Sequence, residues 1–325
     1  MQHKVPDDRN PTDGIGPEEV AALTAALGQL GKPTPQYARQ LLLAIPYQLE
    51  ALAEHGVLDR GLVETIFDLQ RQRSVLVDAQ DNWFTRNLHR FGRGFNLQPL
   101  SLDPTMMARK FDRLAVRWEE YVVGCQYRHV FSWLVRCVRT LTPSLRSTGH
   151  LLDLACGVGL MGQTLRLARV KGPLTGIDLS AGMLAKAAAR DCYDSLLQAN
   201  VNERLPIPDE QVDVVVCTGA MELLDIGHVL RECHRVLRPG GTLWVSFQYH
   251  DGVSPNPTAH QEIVGLTSEE IRDQLERSLF QVLEEETCPT AFLTPAANGS
   301  LNAVPYHFVR AERRSESRQS CPEMT

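Results

Sequence analysis

No apolar stretch of this chain approaches the roughly 20 residues needed to cross a bilayer, and Met1–Asp8 lacks the apolar segment of a secretory signal. Basic charge is not in excess: 33 Lys and Arg stand against 39 Asp and Glu, for a formal net charge of -6. A protein that lives on a nucleic-acid backbone is usually basic. None of the eight cysteines forms a Cys-x-x-Cys pair, and no Cys/His group has zinc-site spacing. We therefore expect a chain that neither spans a membrane, binds nucleic acid nor holds a metal. Several cysteines end apolar runs, as Cys217 does after Val214, Val215 and Val216. They read as buried free thiols in a reducing compartment, so the expected location is the cytoplasm.

The chain does have helical periodicity in its first half. Its 325 residues suit one large domain with an extra module. Residues 1–16 are polar and rich in Pro, Asp and Gly, the composition of a disordered leader. Pro17 stands at a first helical position, followed by Glu18 and Glu19. Val20, Leu23, Leu27 and Leu30 then share one face. Thr34-Pro35 marks a second start, with Leu41, Leu42 and Ile45 on its apolar face up to Pro46. A third pattern runs from about Leu62 to Val77. A fourth opens at Asp103-Pro104, where Met107, Phe111, Leu114, Trp118 and Val122 recur every three or four residues. Residues 17–145 are predicted to form a helical N-terminal domain. Within it, Trp83–Phe95 interleaves aromatic and basic residues, either as a connector with inward-facing rings, the favoured reading, or as a patch for nucleic acid or an acidic carrier protein.

Near residue 150 the pattern changes. His150–Leu154, Leu174–Asp178, Val212–Cys217 and Thr242–Phe247 read as short strands, with Val304–Arg310 as a last one. Helical stretches Leu160–Val170, Gly182–Arg190 and Ile226–Leu237 separate them. Strands alternating with helices imply right-handed βαβ units and a mostly parallel sheet. The expected fold class is α/β: a Rossmann-like sheet over 146–311 with the helical domain as its cap, and a disordered polar tail over 312–325.

The most informative stretch is Asp153–Gly162, in which Gly157 to Gly162 spells G-x-G-x-x-G. Glycine serves where the chain turns sharply from strand to helix and where a ligand approaches bare backbone. Dinucleotide enzymes use the same loop. Asp153, four residues before the first glycine, would repel a pyrophosphate there. It would not repel a cofactor bearing an ammonium and a sulfonium. Asp178 ends the second strand, where a carboxylate can accept both hydroxyls of a ribose. Ser180 is available as the helix cap in its place.

Asp153–Gly162 and Gly176–Leu184, then Tyr193-Asp194, Leu205–Pro208 before Val212–Cys217, and Val236–Gly241, resemble in order the motifs of class I S-adenosylmethionine-dependent methyltransferases. The resemblance covers residues 145–250 and implies S-adenosylmethionine as cofactor. It implies that Asp153 and the backbone at Ala155, Gly157 and Gly159 hold the methionyl end and that Asp178 binds the ribose. Leu179 and Met183 would pack on the adenine. Asn200, followed by Val201, stands where the family often has an Asp for the adenine amine. Thr218 and Gly219 would line the sulfonium side. The Asn-Pro-containing tetrapeptide of amino-methyltransferases acting on nucleic-acid bases is absent after Val212–Cys217, where Thr218-Gly219-Ala220 stands instead. Arg238–Gly241 reads as a structural turn.

Methyl transfer needs in-line placement more than machinery. Glu222, Tyr121 and Tyr127 are the candidates for contact with substrate, with His250 a weaker one. Trp118 is either a ring over the sulfonium or plain core. The expected function is methyl transfer to a small molecule, in secondary metabolism by analogy. The alternative is cyclisation of S-adenosylmethionine to azetidine-2-carboxylate with loss of methylthioadenosine. The apolar stripe on Met107–Trp118 is expected to bury over the open edge above Gly157 and Asp178, which makes residues 17–145 a cover for the cofactor. The oligomeric state is not legible in the sequence.

Overall fold

A computed structural model describes residues 17–27, 34–73, 103–251, 265–295 and 301–314. The proposed leader at 1–16 and the Trp83–Phe95 stretch lie outside them. The helices come first: α1 (Pro17–Leu27), α2 (Pro35–Leu42), α3 (Pro46–Glu54), α4 (Arg60–Arg73), α5 (Pro104–Ala115), α6 (Trp118–Gly124), α7 (His129–Thr140) and α8 (Pro143–Thr148). The start signals act as expected. Thr34 accepts the Tyr37 N–H ahead of Pro35, and Asp103 accepts the Thr105 N–H at 3.0 Å ahead of Pro104. Pro46 does more than stop a helix; it opens α3, which the sequence reading left out.

The second half alternates: β1 (Leu151–Leu154), α9 (Leu160–Leu167), β2 (Leu174–Asp178), α10 (Ala181–Ala189), β3 (Ser195–Gln198), β4 (Val212–Cys217), α11 (Ile226–Val236), β5 (Leu237–Gln248), α12 (Ser268–Arg277), β6 (Phe280–Pro295) and β7 (Leu301–Arg313). These strands form one seven-stranded sheet in the order β3-β2-β1-β4-β5-β7-β6. The first five are parallel, and β7 runs antiparallel between β5 and β6. The strand order reverses between β1 and β4, and the carboxyl ends of these two strands border the crevice where open α/β sheets bind ligands.

Three details differ from the sequence reading. β6 was not anticipated. β7 continues to Arg313, past the expected boundary at 311, because Gln281 and Phe280 pair with Glu312 and Arg313. Arg238–Gly241 lies inside β5 as a register irregularity opposite Val212–Val214, with Gly240 at φ 76°.

Period-two alternation sends the buried residues into two cores. Leu151, Val214, Val216, Trp244 and Phe308 face one side; Leu152, Val215, Cys217, Val245 and Val309 face the other. The second side is closed by α11 and α12. On the first side, Leu23, Leu41, Leu49, Leu52, Ile66, Trp133 and Leu134 share a single core with α9 and the sheet. Gln48 donates from Nε2 to Leu160 O and Thr164 Oγ1, both at 2.9 Å, and Gln163 donates back to Gln40 O at 2.9 Å. Thus α2, α3 and α7 are an outer layer on α9. They flank the sheet and do not cover its carboxyl edge.

Among the described residues, 103–127 reach that edge, with Asp112 on Ser180 and Tyr127 beside Gly219. Met107, Phe111, Leu114 and Trp118 are half-buried there.

Arg190 joins the parts. Its side chain is buried and donates to Val158 O of the glycine loop at 2.8 Å, to Leu43 O at 3.4 Å, and to Gln163 Oε1. It also pairs with Glu119 of α6. Removing one partner of such a pair leaves the other charge poorly compensated, which costs about 3–5 kcal/mol. Arg190→Met should lower the unfolding free energy in urea by about that much; a loss below about 1 kcal/mol would show that the pair does not tie the helices to the loop.

Candidate functional site

The turn from β1 into α9 exposes backbone. Ala155, Gly157 and Gly159 have φ of 51°, 54° and 85°. A side chain at Gly159 would strike the Tyr193 ring and Ala187 at 3.0–3.2 Å, so both conformation and contact demand glycine there. Gly162, the third of the series, lets the Tyr193 ring lie on α9. The Tyr193 hydroxyl accepts the Gly162 N–H at 3.2 Å and donates to Asp153 Oδ2 at 2.6 Å.

Asp153 is 1% exposed. Burial raises its pKa to about 7, opposed by the Tyr193 hydrogen bond and reinforced by Asp178. With its carboxylate enclosed beneath α9 and engaged by Tyr193, it pins the glycine loop from below.

Asp178 stands at the end of β2. Its Oδ2 accepts the Gly157 N–H and its Oδ1 the Ser180 N–H, each at 2.8 Å. Burial raises its pKa, and these N–H bonds work against the rise. Ser180 caps α10 through Met183 N at 3.0 Å, so Asp178 is free of the capping role. A carboxylate has about four acceptor directions, and Asp178 uses two of them on these N–H groups.

Of the remaining expected residues, Leu179 is half-buried beside Asp178, whereas Met183 is 1% exposed and belongs to the core. Val201 is buried. Asn200 is committed to its own turn: Oδ1 accepts Asn202 N–H at 3.0 Å and Nδ2 donates to Glu203 Oε1 at 3.1 Å.

Residues 103–127 close the site at three points. Asp112 Oδ1 accepts the Ser180 hydroxyl at 2.6 Å and the Gly182 N–H at 2.8 Å, which docks α5 on the start of α10. Trp118 Nε1 lies 4.0 Å from where a Cβ on Gly157 would sit. Tyr127 Oη lies 2.9 Å from the Cβ position of Gly219, so only glycine fits after Thr218. Trp118 packs between Phe111 and Tyr121, with ring centroids at 5.9 and 5.4 Å.

Inside the cover, Tyr121 and Tyr127 are buried and Tyr306 of β7 joins them. The Tyr127 and Tyr306 rings stand 5.9 Å apart, and Tyr306 Oη donates to Glu222 Oε1 at 2.5 Å. Burial raises all three phenol pKa values and that of Glu222, the latter opposed by the Tyr306 bond. Two enclosed polar atoms, Thr218 Oγ1 and Glu222 Oε2, have no hydrogen-bond partner among the described residues. The structure thus brings Glu222, Tyr121, Tyr127 and Thr218 together with the glycine loop. Tyr306 and Ser246, which accepts the Gly219 N–H at 3.0 Å, were missed. The alternation Val304, Tyr306, Phe308 hints at an inward face, but only the antiparallel pairing of β7 with β5 carries Tyr306 to the carboxyl edge. His250 follows β5 at half-buried exposure, and its backbone N–H donates to Leu266 O at 3.2 Å. No group of three His, Cys, Asp or Glu among the described residues is arranged to hold a metal.

Residues 152–245 match the model of a methyltransferase domain. This chain carries a domain of the class I S-adenosylmethionine-dependent methyltransferase superfamily. It is 30% identical over 171 residues to a malonyl-[acyl-carrier protein] O-methyltransferase of Yersinia pestis, a match covering 52% of this chain and 60% of that protein. It is 32% identical over 140 residues to the ubiquinone/menaquinone biosynthesis C-methyltransferase UbiE of Syntrophotalea carbinolica, covering 42% of this chain and 58% of that one. The chain thus spans about 60% of the length of these relatives. In fold it is similar to the Haloferax volcanii methyltransferase solved with its Trm112 activator, with a TM-score of 0.51 at 21% identity, covering 64% of this chain and 97% of the other. The residues fit the superfamily's cofactor, S-adenosylmethionine: Ala155, Gly157 and Gly159 have left-handed backbone, Asp178 has acceptor capacity, and Thr218 Oγ1 is enclosed without a partner among the described residues.

Replacing the Asp178 carboxylate by an amide removes a charged acceptor. Asp178→Asn should weaken S-adenosylhomocysteine binding by about 1–3 kcal/mol in calorimetry, with the fold retained by circular dichroism. Unchanged affinity in the folded variant would place the ribose elsewhere.

Proposed function

We propose that this protein is an S-adenosylmethionine-dependent methyltransferase acting on a small molecule. One observation carries the reading. Residues 103–127 close over the glycine loop and the end of β4, and the enclosed Thr218 Oγ1 and Glu222 Oε2 are left for a ligand.

When bound, the cofactor supplies a methyl group already activated by the sulfonium. The chain's part is to place, enclose and deprotonate. Asp178 holds the ribose hydroxyls, with Leu179 beside the adenine; the backbone at Ala155, Gly157 and Gly159 and the Thr218 hydroxyl face the methionyl end. Holding the acceptor in line within about 3–3.5 Å supplies much of the rate, and the cover of Trp118, Tyr121 and Tyr127 excludes water from the methyl. Glu222, half-buried with Oε2 enclosed and its proton affinity raised, suits a general base.

The acceptor is proposed to be free in solution. A carrier-bound acceptor, which the Trp83–Phe95 stretch suggests, has the name of the Yersinia pestis relative as its other support. We place the protein in the cytoplasm and in secondary metabolism. Seven cysteines unpaired among the described residues support the first; the second rests on analogy. No helix of the described residues is long and apolar enough to cross a membrane.

Product analysis separates the readings. Incubated with methyl-labelled S-adenosylmethionine and a pool of small-molecule acceptors, the protein should release S-adenosylhomocysteine and a labelled acceptor. Methylthioadenosine formed from S-adenosylmethionine alone would overturn methyl transfer in favour of intramolecular cyclisation.

A further inference from the structure

The class of the acceptor can be taken further, on the basis of the methyl-transfer reading above. Four side chains from three distant parts of the chain converge behind the end of β4. Tyr121 and Tyr127 come from α6 and the turn after it, Glu222 from the short helical turn Met221–Leu223, and Tyr306 from β7. Tyr306 Oη holds one carboxylate oxygen of Glu222 at 2.5 Å. The other oxygen, Oε2, is enclosed without a partner among the described residues. The charge of Glu222 is felt at Tyr121, Tyr127, Tyr306 and Cys217, the titratable groups that face it. No cationic side chain of the described residues acts on it.

A buried carboxylate without a cation is costly. The fold nevertheless keeps this one and donates a phenol hydroxyl to it, which favours the ionised form. Around it stand aromatic rings, whose faces attract a desolvated cation. A carboxylate walled by tyrosines is complementary to a compact positive charge and repels a carboxylate or phosphate.

We propose that this side-chain cluster takes the ammonium group of a small amine acceptor, with Glu222 Oε2 accepting its N–H and Tyr121, Tyr127 and Tyr306 surrounding its charge. An ammonium nitrogen has no lone pair. One proton passes from it to Glu222 Oε2, turning cation and carboxylate into neutral amine and neutral acid and freeing the nitrogen to react. Tyr306 is a positioning residue: its hydroxyl aims the carboxylate and opposes the rise that burial gives its pKa. The cofactor's sulfonium is the other cation that could occupy the cage, and the test must separate the two.

The full chain is saturated with S-adenosylhomocysteine, whose sulfur is neutral, and probed by saturation-transfer NMR with benzylammonium, benzyl alcohol and benzoate. Benzylammonium should bind, benzoate should not, and benzyl alcohol should bind at least about tenfold more weakly, a factor worth about 1.4 kcal/mol. Glu222→Gln should weaken benzylammonium about tenfold or more and leave S-adenosylhomocysteine affinity unchanged. Tyr306→Phe keeps the ring but removes the bond that lowers the Glu222 pKa. In that variant benzylammonium should be lost at a higher pH as the solution is acidified, a shift that mere loss of packing would not give. Equal binding of alcohol and ammonium, or unchanged benzylammonium binding in Glu222→Gln, would overturn the proposal. So would a variant that loses S-adenosylmethionine affinity alone, since Glu222 would then serve the sulfonium. Failure of S-adenosylhomocysteine to bind the unaltered protein would overturn the methyl-transfer reading itself.

Discussion

The carboxyl edge of the sheet is organised by carboxylates that hold backbone N–H groups. Asp178 ties Gly157 to Ser180, and Asp112 ties the cover to Gly182. Asp153 reaches Gly162 through the Tyr193 hydroxyl. Asp112 satisfies a donor that the start of α10 leaves open, where the helix dipole favours negative charge. Together they set the glycine loop, the start of α10 and the position of α5 in one network. They also concentrate negative charge where a cofactor with a sulfonium and an ammonium would lie.

Much of this was legible in the sequence. β1, β2 and β4 are short apolar runs followed by Gly, Asp or Thr, and a parallel strand buried on both faces has to look that way. Asp178 was identifiable because its distance from the glycine loop reflects one helix and one strand. What the helices face was not legible. An apolar stripe states that a helix is buried but not against what, so the stripes of α2 and α3, which pack on α9, read like that of α5, which reaches over the edge. β6 escaped because Glu284, Glu285 and Glu286 break its alternation, as charged residues on an edge strand do. The hydrogen bond from Tyr193 to Asp153, 40 residues apart, was not legible either, because it depends on how the start of β3 lies against α9.

The helical layer has a mechanical consequence. α2, α3 and α7 share a core with α9, and Arg190 links Leu43, the glycine loop and Glu119 of α6. The cover is therefore attached to the loop it covers, and the N-terminal helices support the site without lining it. Glu222 and Tyr306 meet inside the cover because β7 runs antiparallel to β5 and delivers its first residues to the carboxyl edge.

The central claim is that residues 103–127 close over a cofactor held by the glycine loop and Asp178. Hydrogen–deuterium exchange with and without S-adenosylhomocysteine tests it directly. Exchange should slow together in 103–127, 155–162 and 178–183 on binding, while α2 and α3 stay unchanged. Protection of the glycine loop with no change in 103–127 would contradict the account.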